Sequence, residues 1–314
     1  MSNLIFSLNA TMPIFLTMIL GLFFRKVGIL DESFTSKMNK FVFKIALPVL
    51  LFQDLSDSDF SAVWDIKFVL FCFFATLLSI LAVWGLSHLL KERSARGEFI
   101  QAAYRSSAAI LGIAFIQNIY GNSGMAPLMI IGSVPLYNIM AVLVLSFTKP
   151  GQNGMSPELL KKTLKGIVTN PIILGILAGA LWSLLRLPMP TILSKTVSNL
   201  GSLTTPLGLM TMGAAFNWSE AKSGMGPAFA ASFMKLIGLC TLFLPVAVLL
   251  GFREAELIAI LVMLGSSTTV SSYVMARNMG HSGVLSSSIV AITTLGSAFS
   301  LTFWLYVLKT LALI

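Results

Sequence analysis

The 314-residue chain is strongly apolar: 56% of its residues are hydrophobic, only 11% are charged, and its mean hydropathy is +0.89. A soluble domain averages about 25% charged residues, so the composition excludes the soluble classes and predicts an all-α integral membrane protein. The net charge of +9 does not indicate nucleic-acid binding, because the basic residues are spread over many short segments. The predicted surroundings are therefore a lipid bilayer.

Ten apolar stretches approach or exceed the length of about 20 residues that a transmembrane helix needs. They cover residues 4–24, 41–55, 68–90, 99–119, 125–147, 168–185, 197–216, 227–250, 257–275 and 284–314. No basic residue precedes the first stretch and no cleavage pattern follows it, so we expect it to stay in the mature protein. The odd-numbered loops hold thirteen Lys and Arg residues, against five in the even-numbered loops and the C-terminus. This bias predicts cytoplasmic odd loops and both termini outside, in a cell membrane.

The chain shows signs of an internal repeat. Pro13 and Pro171 are 158 residues apart, as are Pro48 and Pro206. Each half holds five spans, and an odd number forces the two halves into opposite orientations, as in many secondary transporters. The sequence thus predicts ten transmembrane helices in two inverted five-helix repeats. Residues 1–148 form the first repeat, 149–165 a cytoplasmic linker and 166–314 the second repeat.

Spans four and nine contain matching polar motifs, "YRSSAAILG" and "LGSSTTVSS", whose serine pairs are 160 residues apart. A helix breaks at membrane depth only where protein or a water-filled cavity surrounds it, and such breaks at matching positions mark binding sites. We expect two broken helices that cross near the bilayer centre. Alternatively, the hydroxyls bond to their own helices or join two helices together. The candidate substrate-binding hydroxyls are Ser106, Ser107, Ser266, Ser267, Thr268 and Thr269.

Two basic residues inside the spans are functional candidates, because a charge in lipid costs at least about 2.5 to 3.5 kcal/mol. Lys235 lies near the middle of span eight. It pairs with an anionic substrate, neutralises carbonyl ends at the crossing, changes protonation during transport, or extends to the membrane surface. Arg105 opens span four and either binds a substrate carboxylate through its guanidinium or anchors the helix. Lys44 is nearer a span end, where we expect it to extend towards water.

The twelve acidic residues all lie in or beside predicted loops, which disfavours ion coupling through a carboxylate pair at the bilayer centre. Sodium coupling through uncharged oxygen ligands stays open, with Asn39, Asn118, Asn138 and Asn278 as candidates. Asn39 is also a candidate substrate-binding residue. The two histidines lie near span ends and belong to no HExxH site, and no GxSxG motif is present. We therefore predict neither catalysis, nor a cofactor, nor a metal centre.

Four segments resemble the auxin efflux carrier family. "MNKFVFKIALPVLLF", 38–52, is similar to the family's second helix, in which an Asn (here Asn39) precedes a Leu-Pro pair. "RSSAAILGIA" resembles the fourth helix at Arg105 and Gly112, while "PLGLMTMGAAF" and "ITTLGSAFSLTFW" resemble the seventh and tenth. The chain departs from the family at Ser107, Ala114 and Ser267, where Asn, Pro and Pro are usual.

The resemblance implies a function and a division of the fold. Helices one, two, six and seven would form a scaffold that dimerises, and helices three to five and eight to ten a core that moves by an elevator mechanism. The substrate would be a small organic anion, a carboxylate such as malate or an auxin-like acid, with coupling to Na⁺ or H⁺ open. The alternatives are a sodium-coupled symporter of the bile-acid type and a non-transporting membrane receptor.

Overall fold

The computed structural model describes residues 13, 16–56, 65–108, 115–116, 119, 124–149, 165–166, 168–216 and 224–314. Every regular element in these ranges is helical, in agreement with the predicted all-α class. The helices are α1 (16–26), α2 (Glu32–Phe41), α3 (Leu47–Ser56), α4 (Ile66–Ser87), α5 (Arg96–Tyr104), α6 (Ala126–Phe147), α7 (Pro171–Leu184), α8 (Thr191–Ser202), α9 (Thr204–Ala214), α10 (Met225–Phe233), α11 (Leu239–Leu249), α12 (Glu254–Gly265), α13 (Ser271–Asn278) and α14 (Val284–Thr310).

Four continuous helices are long and apolar enough to cross a membrane: Ile66–Ser87, Ala126–Phe147, Met225–Leu249 and Val284–Thr310. They agree with predicted spans three, five, eight and ten. The remaining predicted spans are interrupted helices, shorter helices, or segments that extend beyond the described residues. The membrane class is thus supported directly, whereas the count of ten spans stays a prediction.

Two helices contain a π-helical turn, Val42–Ala46 between α2 and α3 and Met234–Gly238 between α10 and α11. Each turn carries one lysine, but the two side chains differ in environment. Lys44 is exposed, as expected for a lysine that extends towards water. Lys235 is fully buried. π-Turns frequently occur at functional sites, so the burial of Lys235 directs attention to the second turn.

Two helix pairs make close contacts through glycine. A Cβ atom on Gly21 of α1 would lie 2.3 Å from the carbonyl oxygen of Met210 in α9. A Cβ on Gly179 of α7 would lie 2.6 Å from the carbonyl oxygen of Phe52 in α3. Gly179 follows Gly21 by 158 residues, and Met210 follows Phe52 by the same number. This is also the offset between the prolines of the repeat. These contacts support the repeat, although its boundaries stay predictions and most of the linker, 150–164, lies outside the described residues.

The two polar motifs coincide with helix breaks. Helix α5 ends at Tyr104, and Arg105 adopts an extended conformation with φ −72° and ψ 139°. Helix α12 ends at Gly265, and Ser266 is extended in the same way, with φ −72° and ψ 163°. The chain resumes a helix at α13 after the second break. Both half-helices thus end at the positions that the motifs predicted.

Candidate functional site

The two extended segments bond to each other, and the place where they meet is called the crossing. The backbone N–H of Ser107 donates to the carbonyl of Ser267 over 2.9 Å. The hydroxyl of Thr268 donates to the carbonyl of Ala102 in α5 over 2.6 Å, and the hydroxyl of Ser106 donates to the carbonyl of Met263 in α12. The last carbonyls of a helix have no partner within it. Each segment therefore satisfies the end of the opposite half-helix, which membrane depth requires.

Neighbouring helices complete the hydrogen bonding of the crossing. Tyr137 of α6 donates its hydroxyl to the carbonyl of Met263 over 3.1 Å. Thr293 of α14 accepts from the backbone N–H of Thr268 over 3.0 Å. Tyr137 and Thr293 were not predicted as site residues from the sequence. Their only signal was a polar group within a long apolar helix, which many packed serines and threonines of this chain share.

The ammonium group of Lys235 lies at the carbonyl end of α12. It donates to the carbonyl of Leu264 and the hydroxyl of Ser106, and lies 3.4 Å from the carbonyl of Met263. The C-terminus of a helix carries about half a negative charge, which a cation stabilises. Of the roles considered for Lys235, this geometry agrees best with neutralising carbonyl ends. Its side chain does not line the small cavity beside Arg105.

Arg105 is the second buried cation at the crossing, with 2% of its surface exposed. One terminal nitrogen donates to Asn138 Oδ1 over 2.7 Å and to Ser271 Oγ over 2.8 Å. The other donates to the sulfur of Met275 over 2.8 Å and to Gln101 Oε1 over 3.5 Å. The Nε atom is buried without a hydrogen-bond partner. All these acceptors are uncharged, and one donor of the guanidinium group is left over.

A cavity of about 60 Å³ lies beside the crossing. The crossing contributes Arg105, Ser106, Ser107, Thr269 and Ser271 to its wall. Helix α3 and the start of α9 also line it. The cavity is thus lined both by segments predicted as the moving core and by segments predicted as the scaffold.

The remaining predicted hydroxyls lie near the crossing in different environments. Ser266 is fully buried and its hydroxyl has no hydrogen-bond partner. Thr269 is half-buried, and its hydroxyl lies 3.1 Å from that of Ser271. Ser267 takes part through its carbonyl, which accepts from Ser107. The structure therefore brings the six predicted hydroxyl residues together with Arg105 and Lys235.

Asn39 lies apart from this group, on a larger cavity of about 1060 Å³. Its side-chain oxygen is buried without a partner, and its carbonyl accepts from the Asn278 side chain over 3.3 Å. The cavity wall also contains four basic side chains and one acidic one, namely Arg25, Lys26, Lys40, Arg277 and Glu32. This basic cavity opens on the face that the charge bias predicts to be cytoplasmic. The other candidates Gly112, Ala114 and Asn118 lie outside the described residues.

Glu98 is an acidic residue whose environment the sequence did not reveal. It lies in the first turn of α5, beside a loop as predicted, but only 2% of it is exposed. Its carboxylate accepts from the hydroxyl of Ser282 and the backbone N–H of Gly283, each over 2.9 Å, and from the N–H of Ser286 over 2.8 Å. These donors lie at the start of α14, so Glu98 caps that helix.

Comparison with known proteins agrees with the motifs. The family model described as "membrane transport protein" matches residues 6–305. A transporter described as uncharacterized from Methanothermobacter thermautotrophicus is 22% identical over 307 residues, covering 96% of this chain and 98% of that protein. Another from Methanocaldococcus jannaschii is 23% identical over 313 residues, with the same coverage. The chain therefore belongs to the membrane transport protein family, which is the auxin efflux carrier family that its motifs resemble.

Proposed function

We propose that this membrane transporter carries a small organic anion by secondary active transport and binds it at the crossing of the broken helices. The observation that carries the proposal is the presence of two buried cations, Arg105 and Lys235, at the point where the broken helices meet. The carbonyl ends of α5 and α12 offset about half a charge each, and the carboxylate of Asp54 lies in the wall of the same cavity. A bound carboxylate would accept from the Arg105 Nε donor, which is buried without a partner.

Within this proposal Arg105 is the group that binds the substrate. It lines the cavity beside the crossing and has a spare N–H donor. Its guanidinium matches a carboxylate in charge and geometry. Lys235 acts from behind the crossing, through the hydroxyl of Ser106, which lines the same cavity.

Lys235 also bears on the sodium-coupled alternative. Sodium binds where helix carbonyls and hydroxyls converge, and such oxygens converge at Met263, Leu264 and Ser106. The ammonium group of Lys235 already lies among them. We therefore favour a carrier that has no sodium ion at this point, with H⁺ coupling and direction of transport left to experiment.

The basic cavity supports an elevator movement. It lies between α1, α2 and α9 on one side and α13 and the start of α14 on the other. Polar contacts across this boundary include Tyr273 to the carbonyl of Thr211, over 3.3 Å, and Asn278 to that of Asn39. Few such bonds would break if the core moved past the scaffold. The positive lining would attract anions to the entrance. Dimerisation of the scaffold stays part of the proposal on the strength of the family resemblance.

The proposal is tested by ligand-dependent thermal unfolding of the purified protein, because a ligand that binds only the folded state raises its stability. Monocarboxylates, dicarboxylates, indole acids and bile acids are compared, each with and without sodium. We expect a saturable shift with one class of acid, unchanged when potassium replaces sodium. A shift that requires sodium would favour the symporter of the bile-acid type.

Variants at two arginines connect the shift to the site. Arg105→Gln should remove it, whereas Arg93→Gln, at an exposed position in the loop before α5, should leave it unchanged. No shift with any anion would overturn the proposal.

A further inference from the structure

The wall of the basic cavity contains two polar atoms that have no hydrogen-bond partner. They are Thr35 Oγ1 and Asn39 Oδ1, on side chains of α2 that are 94% and 93% buried. The two residues are four positions apart, so they lie one turn apart on the same face of the helix. Buried polar atoms are normally bonded. These two therefore indicate a ligand that donates to Asn39 and accepts from Thr35.

Two cations flank these atoms. Lys40 follows Asn39 on α2, and Arg277 precedes Asn278 on α13, whose side chain donates to the Asn39 carbonyl over 3.3 Å. One terminal nitrogen of Arg277 donates to the carbonyl of Ser282 over 2.8 Å. This bond positions the guanidinium group and leaves its other nitrogens for a ligand. The ammonium group of Lys40 bonds to none of the described residues.

The charges at this end of the cavity favour a phosphate group. Lys40 and Arg277 supply two positive charges. Glu32, also in the wall, precedes Lys40 by eight residues and thus lies about 12 Å away along α2. Glu98 is outside the wall, and its carboxylate already accepts from three donors at the start of α14. A phosphate group carries a charge of about −1.5 to −2 near neutral pH, which balances the two cations more completely than the single charge of a carboxylate.

The rest of the cavity suits a body that carries hydroxyl groups. Ser33 and Ser36 line it between Lys40 and Glu32. The Glu32 carboxylate and Asn39 Oδ1 only accept hydrogen bonds, and ligand hydroxyls would donate to them. The volume of about 1060 Å³ lies at the upper end of the range of small-molecule sites. A phosphorylated sugar therefore fits the cavity in size, charge and hydrogen bonding.

The basic cavity is separate from the crossing. Between the residues that line the two cavities, α9 packs closely on α13: a Cβ atom on Gly208 would lie 2.9 Å from Val270 Cγ1. One turn further along, the Tyr273 hydroxyl donates to the Thr211 carbonyl over 3.3 Å. A ligand in the basic cavity is thus divided from Arg105 by packed side chains.

We propose that the basic cavity is a second binding site, for a phosphate ester that also carries hydroxyl groups. Its source is either a soluble sugar phosphate or the headgroup of a lipid. Lys40 and Arg277 bind the phosphate, Thr35 donates to it, and Asn39 and Glu32 accept from the hydroxyls. The site does not depend on which anion binds at the crossing. Its ligand would connect α2 of the predicted scaffold with α13 of the predicted core.

Three probes test the ligand class: glucose 6-phosphate, inorganic phosphate and glucose. Their binding to the full chain in nanodiscs of phosphatidylcholine is measured by calorimetry. We expect glucose 6-phosphate to bind at least about tenfold more tightly than inorganic phosphate, because its hydroxyls also bond to the wall. Glucose should not bind at the same concentrations. Equal affinity for the two phosphates would mean that the cavity only attracts anions, and this result, or no binding of either, would overturn the inference.

Two variants assign the binding to the wall. Lys40→Gln removes one charge from an exposed side chain and should weaken binding of glucose 6-phosphate at least about tenfold. Arg93→Gln, the same change of charge in an exposed loop, is the matched control and should change it less than about threefold. Thr35→Val keeps every charge and removes one donor, so it should weaken binding several-fold. Thermal unfolding verifies that each variant is folded. Native affinity in Lys40→Gln or in Thr35→Val would contradict the assigned site.

The composition of the nanodisc identifies the source of the phosphate ester. Phosphatidylglycerol and phosphatidylserine carry the same charge, but only the glycerol headgroup has two free hydroxyls. Each lipid replaces part of the phosphatidylcholine, and binding of glucose 6-phosphate is measured again. Loss of binding with phosphatidylglycerol alone would identify a lipid headgroup as the occupant. Equal binding in the two membranes would identify a soluble ester.

Discussion

Replacement of Lys235 by methionine separates the stability of the crossing from its charge. Methionine has a similar length and no charge, so the variant removes the donor to Leu264 while keeping the volume. The carbonyl left unpaired costs about 1–3 kcal/mol, and loss of the cation at a helix end costs up to about 2 kcal/mol. Burial of an ammonium group costs several kcal/mol. The variant no longer has this cost, which offsets the two losses. We therefore expect the ligand-free protein to stay folded, with a small change in thermal midpoint.

Anion binding should respond more strongly than stability. Ser106 accepts from Lys235 and lines the cavity, so a single hydroxyl group separates the ammonium group from the cavity. Two unit charges about 8 Å apart interact by about 2 kcal/mol at an effective dielectric constant of about 20, or about 30-fold in affinity. The affinity is measured by calorimetry at low salt.

Lys44→Met is the matched control, since Lys44 also lies in a π-helical turn but is exposed. It should change affinity by less than about threefold. Equal affinity in the native protein and Lys235→Met would refute the electrostatic reasoning. An equal loss of affinity in Lys44→Met would show that the effect does not come from the charge at the crossing.

Three further substitutions test the packing of the fold by thermal unfolding. Thr268→Val removes the donor to the carbonyl of Ala102 and should destabilise by about 1–3 kcal/mol. Gly179→Ala forces a Cβ against the Phe52 carbonyl and should cost about 1–3 kcal/mol. Glu98→Gln keeps the shape of the cap of α14 but removes its charge, and should cost about 1 kcal/mol.

Each of these variants has a control or an opposing result. Gly85→Ala adds a Cβ in open space within α4, and should cost nothing or stabilise slightly. Equal midpoints for the two glycine variants would contradict the close packing of α7 on α3. Thr302→Val removes a hydroxyl that bonds within its own helix. If it destabilises the protein as much as Thr268→Val does, the hydrogen bond at the crossing stabilises no more than an ordinary bond within a helix. An unchanged midpoint in Glu98→Gln would mean that its charge does not stabilise α14.

The sequence predicted much of the crossing because its signals are local. Serine pairs such as Ser266–Ser267 stand out within apolar stretches, and Lys235 stands out through the cost of a charge in lipid. A break also requires donors for the freed carbonyls, so polar motifs at matching positions predict the breaks themselves. The long helices were predictable for the same reason, since length and hydropathy are properties of one segment.

The partners across the crossing were not predictable. Tyr137 and Met263 are 126 residues apart, and their contact depends on how α6 packs on α12. Asp54 was predicted to lie in or beside a loop; it lies in the last turn of α3, and its position on the small cavity could not be predicted. Asn39 was a candidate for substrate and sodium binding, and it lies on the basic cavity, apart from the crossing. Such groupings require the packing angles of helices, which one sequence does not specify.

The central claim, anion transport through the Arg105 site, is tested most directly by flux in proteoliposomes. Uptake of the labelled acid that gives the largest thermal shift is measured for the native protein and Arg105→Gln, with and without an imposed potassium diffusion potential. We expect saturable uptake in the native protein and none above background in the variant. Saturable binding without flux in the native protein, or equal flux in both proteins, would contradict the account.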